Sequence, residues 1–185
     1  TKGGGHGDYH MVVLAPASLQ EAVDMVMEGF DVADQYRVPV LVLGDGMIGQ
    51  MMEPVEFNPP PKRELPPKTW ASTGWTDKSR PHALINSLFI DPNVLESMNR
   101  KLQEKYETIA KNETRLEEYR TDDAEYVIAA YGTTSRIVKS AINEARSEGI
   151  RAGLIRPKTL WPFPSAAFEK TAMKDGVKAF LTVEM

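Results

Sequence analysis

The hydrophobic pattern of the first third of the chain is typical of a βαβ unit. His10–Leu14 predicts a short strand, and Ser18 followed by Glu21 has the spacing of a helix capping box. Seven apolar residues then recur at helical spacing: Leu19, Ala22, Val23, Val26, Met27, Phe30 and Ala33. They predict a helix that runs to about Tyr36. Val38–Leu43 is apolar throughout and rich in valine, which predicts a strand buried on both faces.

The middle of the chain changes character at residue 58. Prolines at positions 59–61, 66 and 67 disfavour both helix and interior strand. We predict a Pro-rich linker over residues 58–90 that lies over a surface through Trp70 and Trp75, although a plain polyproline spacer is an equal interpretation. Asp91-Pro92 then supplies an N-cap and a first helical residue for a long connecting helix over residues 91–121. Its apolar stripe is narrow, so its charged residues predict a solvated face.

The last third of the chain repeats the strand and helix alternation. The predicted strands are Tyr126–Tyr131, Ile150–Ile155 and Val177–Val183. A helix between the first two begins after the Gly132-Thr133-Thr134 turn and stops at Gly149, and Ser165 is expected to cap a short helix to about Lys174. Residues 122–185 therefore predict a small parallel sheet with helices on its faces. Because no helix follows the last strand, we expect a truncated domain.

Composition narrows the possible functions. The 185 residues are 42% hydrophobic and 26% charged, with a net charge of −4 and no cysteine. No apolar run is long enough to predict a membrane span, and no basic surplus predicts nucleic-acid binding. The missing cysteines exclude disulfides, thiol nucleophiles and cysteine-ligated zinc or iron–sulfur clusters within this stretch. The composition fits a cytoplasmic protein whose redox clusters, if it has any, lie on other chains or other segments.

The segment Gly44–Gly49 matches two known motifs. It has the spacing of the dinucleotide-binding fingerprint GxGxxG, but Pro54 follows so soon that no helix fits after it. Its Gly-Asp-Gly also resembles the start of the thiamine diphosphate and magnesium motif, which continues with a later Asn-Asn pair. The window from Lys68 to Ser79 has no asparagine, and Asp45 alone is a poor magnesium site. We therefore interpret the segment as a sharp turn that its glycines permit.

The other candidate chemistry lies near the start of the chain. His6 and Asp8 stand in a glycine-rich loop, where they can transfer protons or orient a substrate; a flexible loop without that role is an equal interpretation. His10 and His82 lack partners at metal-ligand spacing, so we predict no metal site. The turn Gly132–Ser135 precedes a helix and can bind an anion or act only as an N-cap.

Two stretches of the sequence resemble one known family. GGGHGDYHMVVLAPASLQEAVDMVMEGFDVADQYRVPVLVLGDGMIGQMMEPVEF near the start and RPKTLWPFP at Arg156–Pro164 are similar to the alpha subunit of 2-oxoacid:ferredoxin oxidoreductases. The resemblance is strongest to the 2-oxoisovalerate type. It implies an α/β fold in which residues 1–57 are the second half of a pyrimidine-binding domain. Residues 122–185 would then be a truncated transketolase C-terminal-like domain.

The resemblance also implies a chemistry and a set of partners. Such enzymes use thiamine diphosphate, magnesium and iron–sulfur clusters to convert a 2-oxoacid and coenzyme A to acyl-CoA. We expect the magnesium and diphosphate motif on a beta subunit, the clusters on a ferredoxin-like subunit, and a further gamma subunit. The glutamate that activates the cofactor would lie upstream of Thr1. The fragment itself should therefore be inactive and bind no cofactor, while His6 and Asp8 would face the cofactor.

Three interpretations remain open at this stage. The first is a piece of such an enzyme, acting on a branched-chain 2-oxoacid, with pyruvate or 2-oxoglutarate as alternatives. The second is a non-catalytic assembly module that holds other subunits through the long helix and the Pro-rich segment. The third is a flavodoxin-like flavin binder.

Overall fold

A computed structural model describes residues 7, 9–72, 74 and 78–185. Its strands are β1 (Val12–Leu14), β2 (Val40–Val42), β3 (Leu116–Tyr119), β4 (Tyr126–Ala129), β5 (Ala152–Pro157), β6 (Thr159–Trp161) and β7 (Ala179–Thr182). Its helices are α1 (Leu19–Tyr36), α2 (Pro92–Glu113), α3 (Gly132–Ser147) and α4 (Ser165–Ala172). The predicted α/β class is confirmed. No helix within the described residues is long and apolar enough to cross a membrane.

The first unit is built as its hydrophobic pattern predicts. Ser18 caps α1 by accepting a hydrogen bond from the Glu21 amide at 3.2 Å. β1 and β2 run parallel, with Val12 opposite Val40 and Leu14 opposite Val42. Val12, Leu14, Met25 and Val32 are buried together in one core cluster, because α1 lays its apolar stripe across this strand pair.

The second unit is a mixed sheet rather than the all-parallel sheet that the pattern predicts. Its strand order is β3-β5-β4-β7, in which β4 pairs parallel with β5 and β7, but β3 runs antiparallel to β5. Leu154 and Val127 are fully buried between the strands and the helices that cover them. Gly149 has a φ of 86° just after α3, a conformation that favours glycine, so the predicted helix stop is confirmed.

The long connecting helix is shorter than predicted. α2 ends at Glu113 instead of continuing to residue 121, and Leu116–Tyr119 forms strand β3. Glu113 is 4% exposed and accepts hydrogen bonds from Tyr36 at 2.9 Å and Arg63 at 2.7 Å, which holds the end of the helix in place. The edge of β5 then offers backbone partners to the residues that follow, and this tertiary pairing overrides their helical spacing.

Three smaller predictions also need correction. The sequence pattern missed β6, which leaves the second unit and pairs antiparallel with β1 in the first sheet. Ser165 begins α4 but does not cap it, since Pro164 holds the N-cap position without a side-chain hydrogen bond. β2 is half-buried at the edge of its sheet rather than covered on both faces. In the Pro-rich segment Trp70 lies 4.3 Å from the Arg37 guanidinium, and Trp75 lies outside the described residues.

A buried charge joins the two units. Arg156 on β5 is 2% exposed, and its Nη atoms donate to the Glu21 carboxylate at 2.6 and 3.0 Å. Its Nε lies 3.0 Å from the Glu117 carboxylate, although the angle is too poor for a hydrogen bond. Glu21 also accepts from the Ala17 amide at 2.9 Å, so one carboxylate serves both the start of α1 and the second sheet.

This arrangement sets the protonation of Glu21. Partial burial raises the pKa of the Glu21 carboxyl. The hydrogen bonds and the positive charge of Arg156 lower it by more, and the Ala17 amide and the Lys158 charge lower it further. The resulting pKa is about 2, against an ordinary value of 4.5. Because the folded pKa is the lower one, the stabilisation is complete above the ordinary pKa. It is lost as the pH falls from about 5 towards 2.

Replacing Glu21 with glutamine therefore tests the Glu21–Arg156 ion pair that joins the two units. We expect Glu21→Gln to lower the free energy of unfolding by about 3 kcal/mol at pH 7, because the buried Arg156 loses the carboxylate that accepts its two hydrogen bonds. The difference from the wild type should shrink as the pH falls from about 5 towards 2, as measured by urea unfolding at several pH values. The matched control is Glu96→Gln, in an ion pair with Arg100 on α2 whose carboxylate side chain is 61% exposed; its cost should be about 0.5 kcal/mol or less. Equal costs for the two variants would contradict this role of Glu21.

Candidate functional site

A cleft opens where strands of both units end. It is lined by residues 43–45 just after β2, by Tyr131, Gly132 and Thr134 at the start of α3, and by residues 183–185 after β7. Its volume is about 290 Å³. The carboxyl ends of parallel strands are where α/β sheets usually bind ligands, so this cleft is the candidate ligand site.

Asp45 occupies the point of the cleft where an anion would bind. The N-cap residue of α3, Tyr131, makes no side-chain cap hydrogen bond. The Asp45 carboxylate lies instead at this helix start: a Cβ built on Gly132 would stand 3.7 Å from its Oδ2. Its Oδ1 accepts a hydrogen bond from the Ile48 amide at 2.9 Å. A carboxylate from the first unit thus caps a helix of the second unit.

The pKa of Asp45 reflects these contacts. Burial raises the pKa, but hydrogen bonds from Thr133, Ile48 and Met47 outweigh it and keep the pKa below its ordinary value. The Thr133 hydroxyl is buried and has no partner of good hydrogen-bond geometry in the described part of the chain. We therefore attribute the lowered pKa mainly to the backbone amides that point at the carboxylate.

The rest of the loop after β2 is fastened to both units as well. Glu53 accepts a hydrogen bond from the Leu19 amide at the start of α1 at 3.2 Å, and it pairs with Arg136 of α3 at 2.7 Å. The side chain of Gln20 makes two hydrogen bonds of 2.8 Å with the backbone of Glu56. Asp45 and Glu53 thus place carboxylates at two helix starts, so this loop is a structural clamp as well as a turn.

The two predicted catalytic residues cannot be placed. His6 and Asp8 lie outside the described residues, so their roles stay predictions. Two residues further along the sequence, His10 stacks on Trp161 with ring centroids 4.9 Å apart and meets the Tyr106 ring edge-on at 5.0 Å. The backbone amide of His10 donates to the Tyr106 hydroxyl at 2.9 Å. His10 therefore belongs to an aromatic cluster that joins α2 and β6 to the start of β1.

The described residues do not fit the magnesium and diphosphate end of a thiamine cofactor. Among them no group of three or more His, Asp or Glu side chains is arranged to hold a metal ion. Asp45, the acidic residue of the Gly-Asp-Gly motif, is already engaged with α3. The sequence analysis did not predict that Asp45 caps α3. A signal was present, because the N-cap position of α3 holds Tyr131, whose side chain makes no cap hydrogen bond, so the cap has to come from elsewhere.

Two family models together match nearly the whole chain. Residues 6–129 match the model described as pyruvate flavodoxin/ferredoxin oxidoreductase, thiamine diphosphate-binding. Residues 124–185 match pyruvate:ferredoxin oxidoreductase core domain II. The predicted family resemblance is confirmed by these matches.

Curated relatives and a solved structure agree with the family models. The chain is 49% identical over its full length to the ketoisovalerate oxidoreductase subunit VorB of Methanothermobacter thermautotrophicus, of which it covers 51%. It is 32% identical over 98% of its length to the 2-oxoglutarate synthase subunit KorA of Methanothermobacter marburgensis, of which it covers 54%. The chain thus spans about half the length of these relatives.

The solved structure is a 2-oxoglutarate:ferredoxin oxidoreductase from Magnetococcus marinus with 2-oxoglutarate, coenzyme A and succinyl-CoA bound. The match has a TM-score of 0.75 over 98% of this chain and 36% of that chain, at 24% identity. At this identity the likeness shows a shared fold.

Removing the carboxylate of Asp45 tests the cap. We expect Asp45→Ala to lower the free energy of unfolding by about 1–2 kcal/mol, because the first amides of α3 lose their acceptor. Asp45→Asn should cost less, since an amide oxygen still accepts. Urea unfolding followed by circular dichroism measures both, with Asp122→Ala at an exposed position as the control. A magnesium-dependent rise in the stability of the wild type that Asp45→Ala abolishes would show instead that Asp45 binds the metal.

Proposed function

Because the chain belongs to the pyruvate flavodoxin/ferredoxin oxidoreductase family, we propose that it is part of the alpha-type subunit of a 2-oxoacid:ferredoxin oxidoreductase that acts on 2-oxoisovalerate. The observation that carries the proposal is the 49% identity, over the full length of the chain, to a ketoisovalerate oxidoreductase subunit. The identity to a 2-oxoglutarate synthase subunit is lower, at 32%. A branched-chain 2-oxoacid is therefore the favoured substrate.

The proposed reaction is an oxidative decarboxylation. The carboxylate of the 2-oxoacid leaves as carbon dioxide, the remaining acyl group is transferred to coenzyme A, and two electrons pass to ferredoxin. Thiamine diphosphate, held by the assembled enzyme, would supply the electron sink that this decarboxylation needs. The described residues of this chain supply the scaffold beside that chemistry: the clamped loop after β2 and the charge pair that joins the units.

The division of labour among subunits is proposed from the family resemblance. We propose that residues 1–57 are the second half of the pyrimidine-binding domain and residues 122–185 belong to the transketolase C-terminal-like domain. A beta subunit would hold magnesium and the diphosphate, a ferredoxin-like subunit the iron–sulfur clusters, and a gamma subunit would complete the assembly. The chain alone would then be inactive and bind no cofactor. A cytoplasmic location stays a prediction.

Substrate preference and His6 are tested together in the reconstituted enzyme. The full-length subunit is assembled with its partner subunits, and ferredoxin reduction is measured with 2-oxoisovalerate, pyruvate and 2-oxoglutarate in the presence of coenzyme A. We expect the highest kcat/KM with 2-oxoisovalerate. His6→Ala should lower it by about 10²-fold or more, the typical contribution of a residue that transfers a proton, whereas the control His82→Ala should not. Preference for another 2-oxoacid would overturn the substrate assignment, and unchanged turnover would remove His6 from the site.

An assembly role is the second candidate, and one surface favours it. Every residue from Asp91 to Lys101, the first half of α2, is exposed. Three of its large apolar side chains, Val94, Leu95 and Met98, are each at least 39% exposed, and the segment just before it exposes Leu84, Ile85, Leu88 and Ile90 as well. Exposed apolar patches of this kind mark protein interfaces. Through them the chain could hold other subunits whether or not it takes part in catalysis.

Charge substitutions on this surface separate the two roles. We expect Leu95→Lys to weaken co-purification of the partner subunits with the full-length subunit by at least about tenfold in apparent affinity, because an apolar side chain that a partner would cover is replaced by a charge. Asn99→Lys, on the same exposed half of α2, is the control. Normal assembly of Leu95→Lys would contradict the assembly role of this surface.

A further inference from the structure

A pocket with a basic and apolar lining opens where α1 ends beside the Pro-rich segment. Its volume is about 430 Å³. Arg37 and Arg80 bring positive charge to the lining, and the Trp70 ring and residues 83–85 bring apolar surface. Pockets that combine apolar surface with a few charged groups are typical of sites for small organic ligands. The charge of this one indicates an anion.

Arg37 is held in place at the mouth of the pocket. It is the C-cap residue of α1 and has a φ of 52°, in the left-handed region that usually favours glycine. Its guanidinium carbon lies 4.3 Å from the centroid of the Trp70 ring, a cation–π contact that fixes the orientation of the charged group. A ligand would therefore meet a cation that is already ordered, which lowers the entropic cost of binding.

A second cation reaches the same place from α2. The half-buried Lys105 side chain donates to the Arg37 carbonyl oxygen at 3.4 Å. Burial and the positive charge of Arg37 lower the pKa of Lys105 below its ordinary value. Two like charges thus repel each other at the end of α1, and one of them is partly shielded from water.

The surroundings that the structure describes do not neutralise these two charges. The carboxyl end of a helix carries about half a negative charge, which balances only part of two positive ones. Asp34 in the last turn of α1 is already paired with Lys68 at 2.6 Å. Among the described residues no carboxylate forms an ion pair with Arg37 or Lys105. A bound anion would remove the repulsion.

The kind of anion follows from the number of donors and from the apolar lining. Arg37 and Lys105 together match the two oxygens of a carboxylate, whereas a phosphate ester would bring a third oxygen. Leu84 and Ile85 of the lining are 86% and 59% exposed, so a ligand with a hydrocarbon group would also cover apolar surface. Arg80 and His82 have interactions of their own, so the carboxylate is assigned to the other two cations.

We propose that this pocket binds a small carboxylate with an apolar body. The two oxygens of the ligand pair with Arg37 and Lys105, and its hydrocarbon part lies against residues 83–85. The proposal goes beyond the proposed function and does not depend on which 2-oxoacid the enzyme uses, because every residue it invokes belongs to this chain.

Three ligands with the same hydrocarbon body test the proposal in the full-length subunit: 3-methylbutanoate, its neutral amide and 3-methylbutyl phosphate. Binding is followed by NMR through the indole N–H signal of Trp70, which Trp70→Phe assigns. We expect the carboxylate to bind at least about tenfold more tightly than the amide, and more tightly than the phosphate ester. Equal affinity for the amide would overturn the proposal, and tighter binding of the phosphate ester would overturn the assignment to a carboxylate.

Substitution of the two cations gives the second test. Arg37→Gln and Lys105→Gln should each weaken binding of 3-methylbutanoate by at least about tenfold, because one oxygen of the ligand loses its charged donor. Arg37→Gln also removes the contact with Trp70, so Lys105→Gln is the deciding variant. Arg100→Gln is the matched control, since Arg100 is an exposed cation of α2 that pairs with Glu96. Wild-type affinity in Lys105→Gln, or an equal loss in Arg100→Gln, would overturn the proposal. Neither experiment measures turnover, so their outcome is separate from that of the proposed function.

Discussion

The buried guanidinium of Arg156 is the constraint on which the arrangement of the two units depends. It lies on β5 with 2% of its surface exposed, and a charge so placed is tolerated only when it is paired. Glu21 supplies the main partner from the first turn of α1, and Glu117 on β3 the other. The strand edge, the helix start and the charge pair must therefore form together, which fixes how α1 faces the second sheet.

The loop after β2 also joins the two units through carboxylates, which here lie at the starts of helices. Asp45 caps α3 and Glu53 accepts from the start of α1, so each satisfies amides that the helix itself leaves without acceptors. A Gly-Asp-Gly sequence that resembles a metal-binding motif is therefore used to join two units. The Gly-Asp-Gly sequence is the same as in the metal-binding motif, but the role of its aspartate depends on the group that faces the carboxylate.

Local patterns predicted most of the fold. α1, α3 and the core strands follow from apolar spacing and from the signals at Ser18 and Gly149. The end of α2 could not be predicted, because Leu116 keeps the helical spacing while the edge of β5 provides the backbone partners. The role of Asp45 depends on Tyr131, which is distant in sequence. Short-range patterns carry no information on such contacts, so β6 was missed for the same reason.

The position of β6 has a consequence for how the chain acquires its structure. Trp161 pairs with Val13, which lies far from it in sequence, and its ring completes the aromatic cluster with His10. Contacts between residues so far apart in sequence are slow to form, because a long loop must close first. During synthesis the first sheet can gain its third strand only after the second unit has largely emerged from the ribosome. The two units are thus expected to reach the native state as one cooperative step rather than one after the other.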